Sequence, residues 1–178
     1  MRPLLPIAVV ALAIGCGSPT APDGALPLSA GTYSLTTGAV SRLCRDDVQP
    51  RVVRYIVGWV TLSLEGTTWV ARPRDAASGS FELRLDRGDG ADRFSASPVR
   101  GTFTGRLQDV GVAPFEPPSG VRLETAQAGA TVGVNGSASG AVASGAFESP
   151  LVFSNAVRSM TCPAESLNWA LIRDTPPS

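Results

Sequence analysis

A chain of 178 residues, 43% hydrophobic and 17% charged, is long and apolar enough for one folded domain and excludes wholesale disorder. Its fifteen cations balance fifteen anions, so no general attraction to nucleic acid or to anionic membrane surfaces follows. Every cation is arginine, and histidine is absent. That excludes Ser-His and Cys-His nucleophile pairs, lysine Schiff bases, histidine metal sites and P-loop lysines, and no cofactor is implied.

The chain opens MRPLLPIAVVALAIGC. One cation, Arg2, precedes an apolar run from Leu4 to Ile14. At ~1.5 Å per residue that run spans about half of a ~30 Å hydrocarbon core, too little for a transmembrane helix. A charged start, a short apolar centre and a small residue before the cut make a secretory signal. The ending Leu12-Ala13-Ile14-Gly15-Cys16 resembles the lipobox of bacterial lipoproteins. The resemblance implies cleavage before Cys16, a palmitate-type diacyl group on its sulfur, and residence in the bacterial cell envelope. Gly17 stands where an aspartate would favour inner-membrane retention, so the resemblance points to the outer membrane of a two-membrane cell.

Residues 1–15 thus read as a lipoprotein signal peptide. The stretch 16–29, rich in Gly, Pro, Ser and Thr, reads as a flexible tether. Residues 30–174 form the expected single β domain, and 175–178 a tail. With Cys16 assigned to lipid, Cys44 and Cys162 remain. An even pair in an oxidising compartment implies a bridge, which would stabilise by roughly 4–5 kcal/mol on the chain-entropy model. Cys44 follows the first strand-like segment and Cys162 precedes the last, so their joining would set the two ends of the domain side by side.

From Ala30 onward the pattern is short strands between Gly, Pro, Ser and Asp. Val52 to Glu65 is apolar on both faces and is expected to lie centrally or to bend at Gly58. Glu65-Gly66-Thr67 turns it into the strand Thr68–Arg72. Phe81 to Asp86 alternates apolar and charged residues without error, the period of a half-buried strand. Asp86 to Asp92 (DRGDGAD) links it to Arg93–Ala96. Gly101 to Leu107 alternates too, and Val121, Leu123 and Thr125 oppose Arg122 and Glu124. Ala113–Gly120, with its prolines, cannot be a central strand. Asn135-Gly136 reads as a hairpin turn between Thr131–Val134 and Ser137–Val142, and Ala143-Ser144-Gly145 as a further turn. Leu167, Trp169 and Leu171 share a face of the last strand. Short helices are conceivable only at Gly38–Arg45 and Asn155–Ser159. The expected fold is all-β: an antiparallel meander of about eight to ten short strands. The terminal bridge favours a closed barrel over a two-layer sandwich. Gly31-Thr32-Tyr33 opening the first strand, with a cysteine near the C-terminus, is faintly similar to lipocalin-like barrels.

Candidate sites are sparse. Asp86, Asp89 and Asp92 suit calcium in type but lack an EF-hand glutamate and spacing, and Arg84, Arg87 and Arg93 compete for them. A solvated hairpin tip, with no metal, is the simpler reading, and the tripeptide Arg87-Gly88-Asp89 recurs by chance. Trp59, Trp69 and Trp169 are candidate ligand-contacting aromatics, although core packing accounts for each. Glu65, Glu82, Glu124 and Glu148 are the carboxylates from which a glycosidase pair would be drawn. The expectation is a non-catalytic binding or interaction module whose partners are the membrane, through the lipid anchor, and an unidentified protein. The alternative is a carrier of a small hydrophobic ligand inside the barrel. A glycan hydrolase is the third reading.

Overall fold

The computed structural model describes residues 22, 24–40, 52–88, 101–112, 125–126, 129–157, 159–164 and 167–174. Its strands in chain order are β1 (Gly31–Val40), β2 (Val52–Glu65), β3 (Thr68–Pro73), β4 (Gly79–Arg87), β5 (Gly101–Val112), β6 (Thr125–Ala126), β7 (Val132–Ser139), β8 (Val142–Phe147), β9 (Leu151–Ser154), β10 (Ser159–Cys162) and β11 (Leu167–Arg173). Eight of them close an antiparallel barrel in the order β1-β11-β8-β7-β5-β4-β3-β2. Each barrel strand pairs with its neighbour in sequence, apart from the insertions, so the wall is an up-and-down meander. The remaining three form a small sheet in the order β10-β9-β6. Its strands come from the β5–β7 and β8–β11 connections, both at the barrel end where β1 finishes and β11 begins.

The interior follows the period-2 pattern. Phe81, Leu83 and Leu85 of β4 are buried, as are Leu167, Trp169 and Leu171 of β11. Two bulges change the phase of that pattern. Leu35 pairs with Gly58 while Thr36 pairs with Ile56, which leaves Val57 extra. Gly58 takes φ 129° there, a conformation a side chain would strain. Glu82 pairs with Gln108 but Ser80 with Gly111, and Asp109 adopts φ 53°. Aspartate tolerates that left-handed value better than most residues. The expected bend at Gly58 is therefore present. The alternation read from Gly101 ends at Leu107 because this second bulge follows it.

Three sequence expectations are corrected. Asn135-Gly136 is no turn: β7 runs through it, and the hairpin turns at Gly140-Ala141, with Gly140 at φ 54°. Ala143-Ser144-Gly145 lies inside β8. Gly38–Val40 belongs to β1, and residues 155–157 make a bend in which the Val157 N–H donates to Asn155 Oδ1 at 2.9 Å. The expected Arg93–Ala96 strand, the 113–120 loop and the residues 121–124 lie outside the described residues.

Both barrel ends carry core. The tether boundary read at residue 29 falls inside the folded unit, because Ala25, Leu26 and Leu28 are buried. The Trp69 Nε1–H donates to the Leu26 carbonyl at 2.8 Å, and the Gly140 N–H donates to Pro27 at 2.5 Å. This segment plugs the end where β1 begins. At the opposite end, Leu151 and Phe153 of β9 lie beside Cys162 and Met160 of β10. These four join the same hydrophobic cluster as the barrel interior. The small sheet is thus a lid on the barrel.

Candidate functional site

One interior row is unusual in composition. Phe103 pairs with Gly136, Gly136 with Gly145, and Gly145 with Trp169. Two adjacent inward glycines leave space above them, and the Phe103 and Trp169 rings meet across it at 5.4 Å, tilted by 49°. Thr37 continues the row on β1 as a buried polar residue. The Trp169 Nε1–H is buried and makes no hydrogen bond. A lone indole donor in an apolar interior is costly to leave unpaired. Trp69 is equally buried, at 3% exposure, whereas Trp59 is 46% exposed. The three tryptophans therefore do not share one exposed platform: two face the interior and one the outer wall.

The outer wall divides into two halves. On β2–β5 it is charged. Arg72 pairs with Glu65 at 2.5 Å and Glu82 at 2.8 Å; Arg84 pairs with Glu82 at 2.7 Å and Glu65 at 3.7 Å. Beneath this lattice Val70 is wholly buried, although it points away from the barrel interior; long arginine stems cover such surface well. The Arg72 hydrogen bond holds the Glu65 carboxyl below its ordinary value, and the Arg84 hydrogen bond does the same for Glu82. Both carboxylates stay ionised, so this pair offers no protonated acid for glycoside cleavage. Glu148 lies elsewhere, exposed, accepting from Asn135 Nδ2 at 3.4 Å, and Glu124 is outside the described residues. A recess of about 420 Å³ beside the lattice is lined by Arg72, Pro73, Arg74, Asp75, Ser80 and Phe81.

On β7, β8, β11 and β1 the outward positions carry no charge. Register places Gly38, Asn168, Ala146 and Asn135 in one row, and Thr36, Ala170, Ser144 and Ser137 in the next. Ser34, Ile172, Val142 and Ser139 make the third, which extends to Trp59 on β2. Ile172 is 48% and Val142 41% exposed. Trp59, Ile172 and Val142 thus form an apolar stripe across the wall, roughly 14 Å long at ~4.8 Å between strands. Among the described residues the fourth exposed large apolar side chain, Val157 at 90%, lies between β9 and β10 on the lid. Sequence reading missed the stripe, since its members are 30 to 113 residues apart and only strand register aligns them.

Asp86 ends β4 and accepts a hydrogen bond from the Thr68 hydroxyl; Asp89 and Asp92 lie outside the described residues. Among the described residues no group of His, Cys, Asp or Glu is placed to hold a metal ion. Cys162 is fully buried in the lid. No complete cysteine pair falls within the described residues, because Cys16 and Cys44 are outside them. Among the described residues no helix is long and apolar enough to cross a membrane. Comparison of the chain with protein-family models, with curated proteins and with solved structures returned no match.

Proposed function

We propose that this chain is a lipid-anchored protein of the bacterial cell envelope, tethered through Cys16, and that its β-barrel serves as a non-catalytic interaction module. One observation carries the reading: the two ends of the barrel differ. Residues 25–28 enter at one end, where Ala25, Leu26 and Leu28 are buried, so a tether from Cys16 arrives at that rim. The lid occupies the other end and exposes Val157, the side turned away from an anchor. Connections held on a rigid scaffold are where binding surfaces usually lie. The Cys44–Cys162 bridge belongs to the same proposal. Val40 and Leu167 border the lidded end, since Ala39 pairs with Leu167, so both cysteines lie within a few residues of one rim. The bridge would pin the lid to the β1–β2 connection.

The test is a full chain expressed in a bacterium with two membranes. Expected are an N-terminal acylated Cys16 by mass spectrometry, and loss of membrane association in Cys16→Ser. A photo-crosslinker at position 157 should give a discrete protein adduct. An unacylated Cys16, or a lid that crosslinks to nothing, overturns the respective half of the proposal. One observation favours a second reading, carriage of a small hydrophobic ligand: the unpaired Trp169 Nε1–H would be satisfied by a ligand acceptor. A co-purifying small-molecule mass that disappears on denaturation would establish it.

A further inference from the structure

We infer that the uncharged half of the barrel wall lies against the bilayer that anchors the chain, with the stripe Trp59, Ile172 and Val142 at the lipid headgroup boundary. This rests on the Cys16 anchor proposed above. Three observations converge on it.

The first is position. Val142 opens β8 directly after the Gly140-Ala141 turn. That turn receives the entering chain, through the Gly140 N–H to Pro27 bond and the Leu28–Gly140 bridge. Ile172 pairs with Val142, and the Arg173 N–H donates to the Ala141 carbonyl at 2.8 Å. The stripe therefore starts at the rim where the tether arrives. The eight residues between Cys16 and Ala25 reach at most about 30 Å when fully extended, so an acylated Cys16 keeps this rim close to the membrane.

The second is charge. The β2–β5 half carries Glu65, Arg72, Glu82, Arg84 and Arg106 outward, and each would have to lose water in a low-dielectric boundary at a cost of several kcal/mol. On the opposite half the outward register positions of β7, β8, β11 and β1 are uncharged; Glu148 lies just past the end of β8, toward the lidded end and away from the stripe, and Arg173 sits at the rim. The Ser34 and Thr36 hydroxyls of that half already turn to the Ile172 and Ala170 carbonyls, at 3.4 and 3.5 Å. The rows nearest the tether rim on that half can approach lipid at less cost than the Arg–Glu lattice, which sets the orientation.

The third is residue type. An exposed indole in one row with two aliphatic side chains, across the small Ser34, suits the interfacial zone, where one edge is apolar and the other wet. From Cys16 onward fourteen arginines face fifteen carboxylates, a net charge close to zero, so contact should not depend on anionic lipid or on salt.

Trp59 is the exposed tryptophan among three, so its fluorescence reports on the wall. The acylated full-length protein is reconstituted in phosphatidylcholine vesicles with and without brominated acyl chains, and flotation is measured in parallel. Trp59→Phe serves as the spectral blank. Expected is a blue-shifted Trp59 contribution that loses most of its intensity in brominated vesicles and is unchanged by 0.5 M salt, a concentration that screens exposed charges strongly. The pair Ile172→Ser with Val142→Ser should restore most of that intensity. Its fold is verified by near-ultraviolet circular dichroism from buried Trp69 and Trp169. Flotation without quenching overturns this inference and leaves the anchor standing. Failure of the wild type to float overturns both. Trp59 shielded from acrylamide but not quenched by brominated lipid, with a dimeric mass, overturns it in favour of a second copy of the chain on the wall.

Discussion

A methyl group on Gly136 would collide with the Ser144 carbonyl oxygen of β8 and sit 2.8 Å from both Gly145 Cα and Phe103 Cζ, closer than these atoms tolerate. Gly136→Ala is therefore expected to destabilise by about 1–3 kcal/mol, the range for overpacked cores. Phe103→Leu in the same chain should recover part of the loss, because the two sites share one space. Urea titration of the four-member cycle measures this coupling. Tyr33 makes a second prediction at this scale. Its buried hydroxyl donates to the Ser29 carbonyl at 2.7 Å, and burial pushes its ionisation above the ordinary 10.0. An unfolded tyrosine ionises first as pH rises. Tyr33 thus contributes its full stability below the unfolded value, and that contribution is lost as pH climbs through the folded one. Tyr33→Phe should cost about 1 kcal/mol near neutrality and flatten the stability decline above pH ~10. Denaturation midpoints across that range decide it.

Elements repeat the lesson with longer reach. Leu26 is wholly buried although it precedes every strand. Leu26→Ala should cost ~2–5 kcal/mol and release the plug to proteolysis near residue 22, which limited digestion followed by mass spectrometry would detect. Strands with strict alternation were legible beforehand. Phe81 to Asp86 announces its inward face, and Gly58 announces its bend. Asn135-Gly136 misleads because its local turn chemistry outweighs a weak pattern by eye, yet Val132, Val134 and Ala138 stay in phase straight through it. Gly136 is simply the inward member of that series, small because the β8 backbone at Ser144 and Gly145, together with the Phe103 ring, occupies the space a side chain would need. Nothing local to Leu26 says that it enters the barrel. Its partner, the Trp69 indole, lies 43 residues onward, and a proline- and glycine-rich segment resembles free tether until the docking surface is known.

The whole molecule shows what no segment could. Apolar side chains fill the interior and charged ones sit outside on β2–β5, the reverse of a porin-like wall. The division of that wall into charged and uncharged halves emerges only from register, which joins Ser34 to Ile172 and Ile172 to Val142. The all-β meander was legible from strand count and punctuation, whereas its closure into a barrel was favoured over a sandwich only through the expected terminal bridge, and the candidate surface was not legible. The charged half makes its own prediction. Glu65 and Glu82 are held below their ordinary ionisation range by Arg72 and Arg84. Their contribution is complete above the unfolded carboxyl value and is lost as pH falls through the depressed folded values. Because the lattice is exposed, Glu82→Gln should cost under about 1 kcal/mol and less at high salt. The double change Glu65→Gln with Glu82→Gln should flatten the acid limb of the stability profile, read from thermal midpoints between pH ~2 and ~5.

The pairing of β1 with β11, from Tyr33–Arg173 to Ala39–Leu167, has a consequence for the order of folding. A ring of hydrogen-bonded strands has no stable open form one strand short. Until residues 167–173 are available, β1 and β8 both present bare edges, and Trp169 is missing from the row that Phe103 completes. The seam joins positions 128 to 140 residues apart, among the largest loop closures this chain can make, so its entropy must be met before the seam returns any stability. Folding should accordingly be all-or-none and slow. A chain cut before Leu167 should aggregate edge to edge rather than form a smaller barrel.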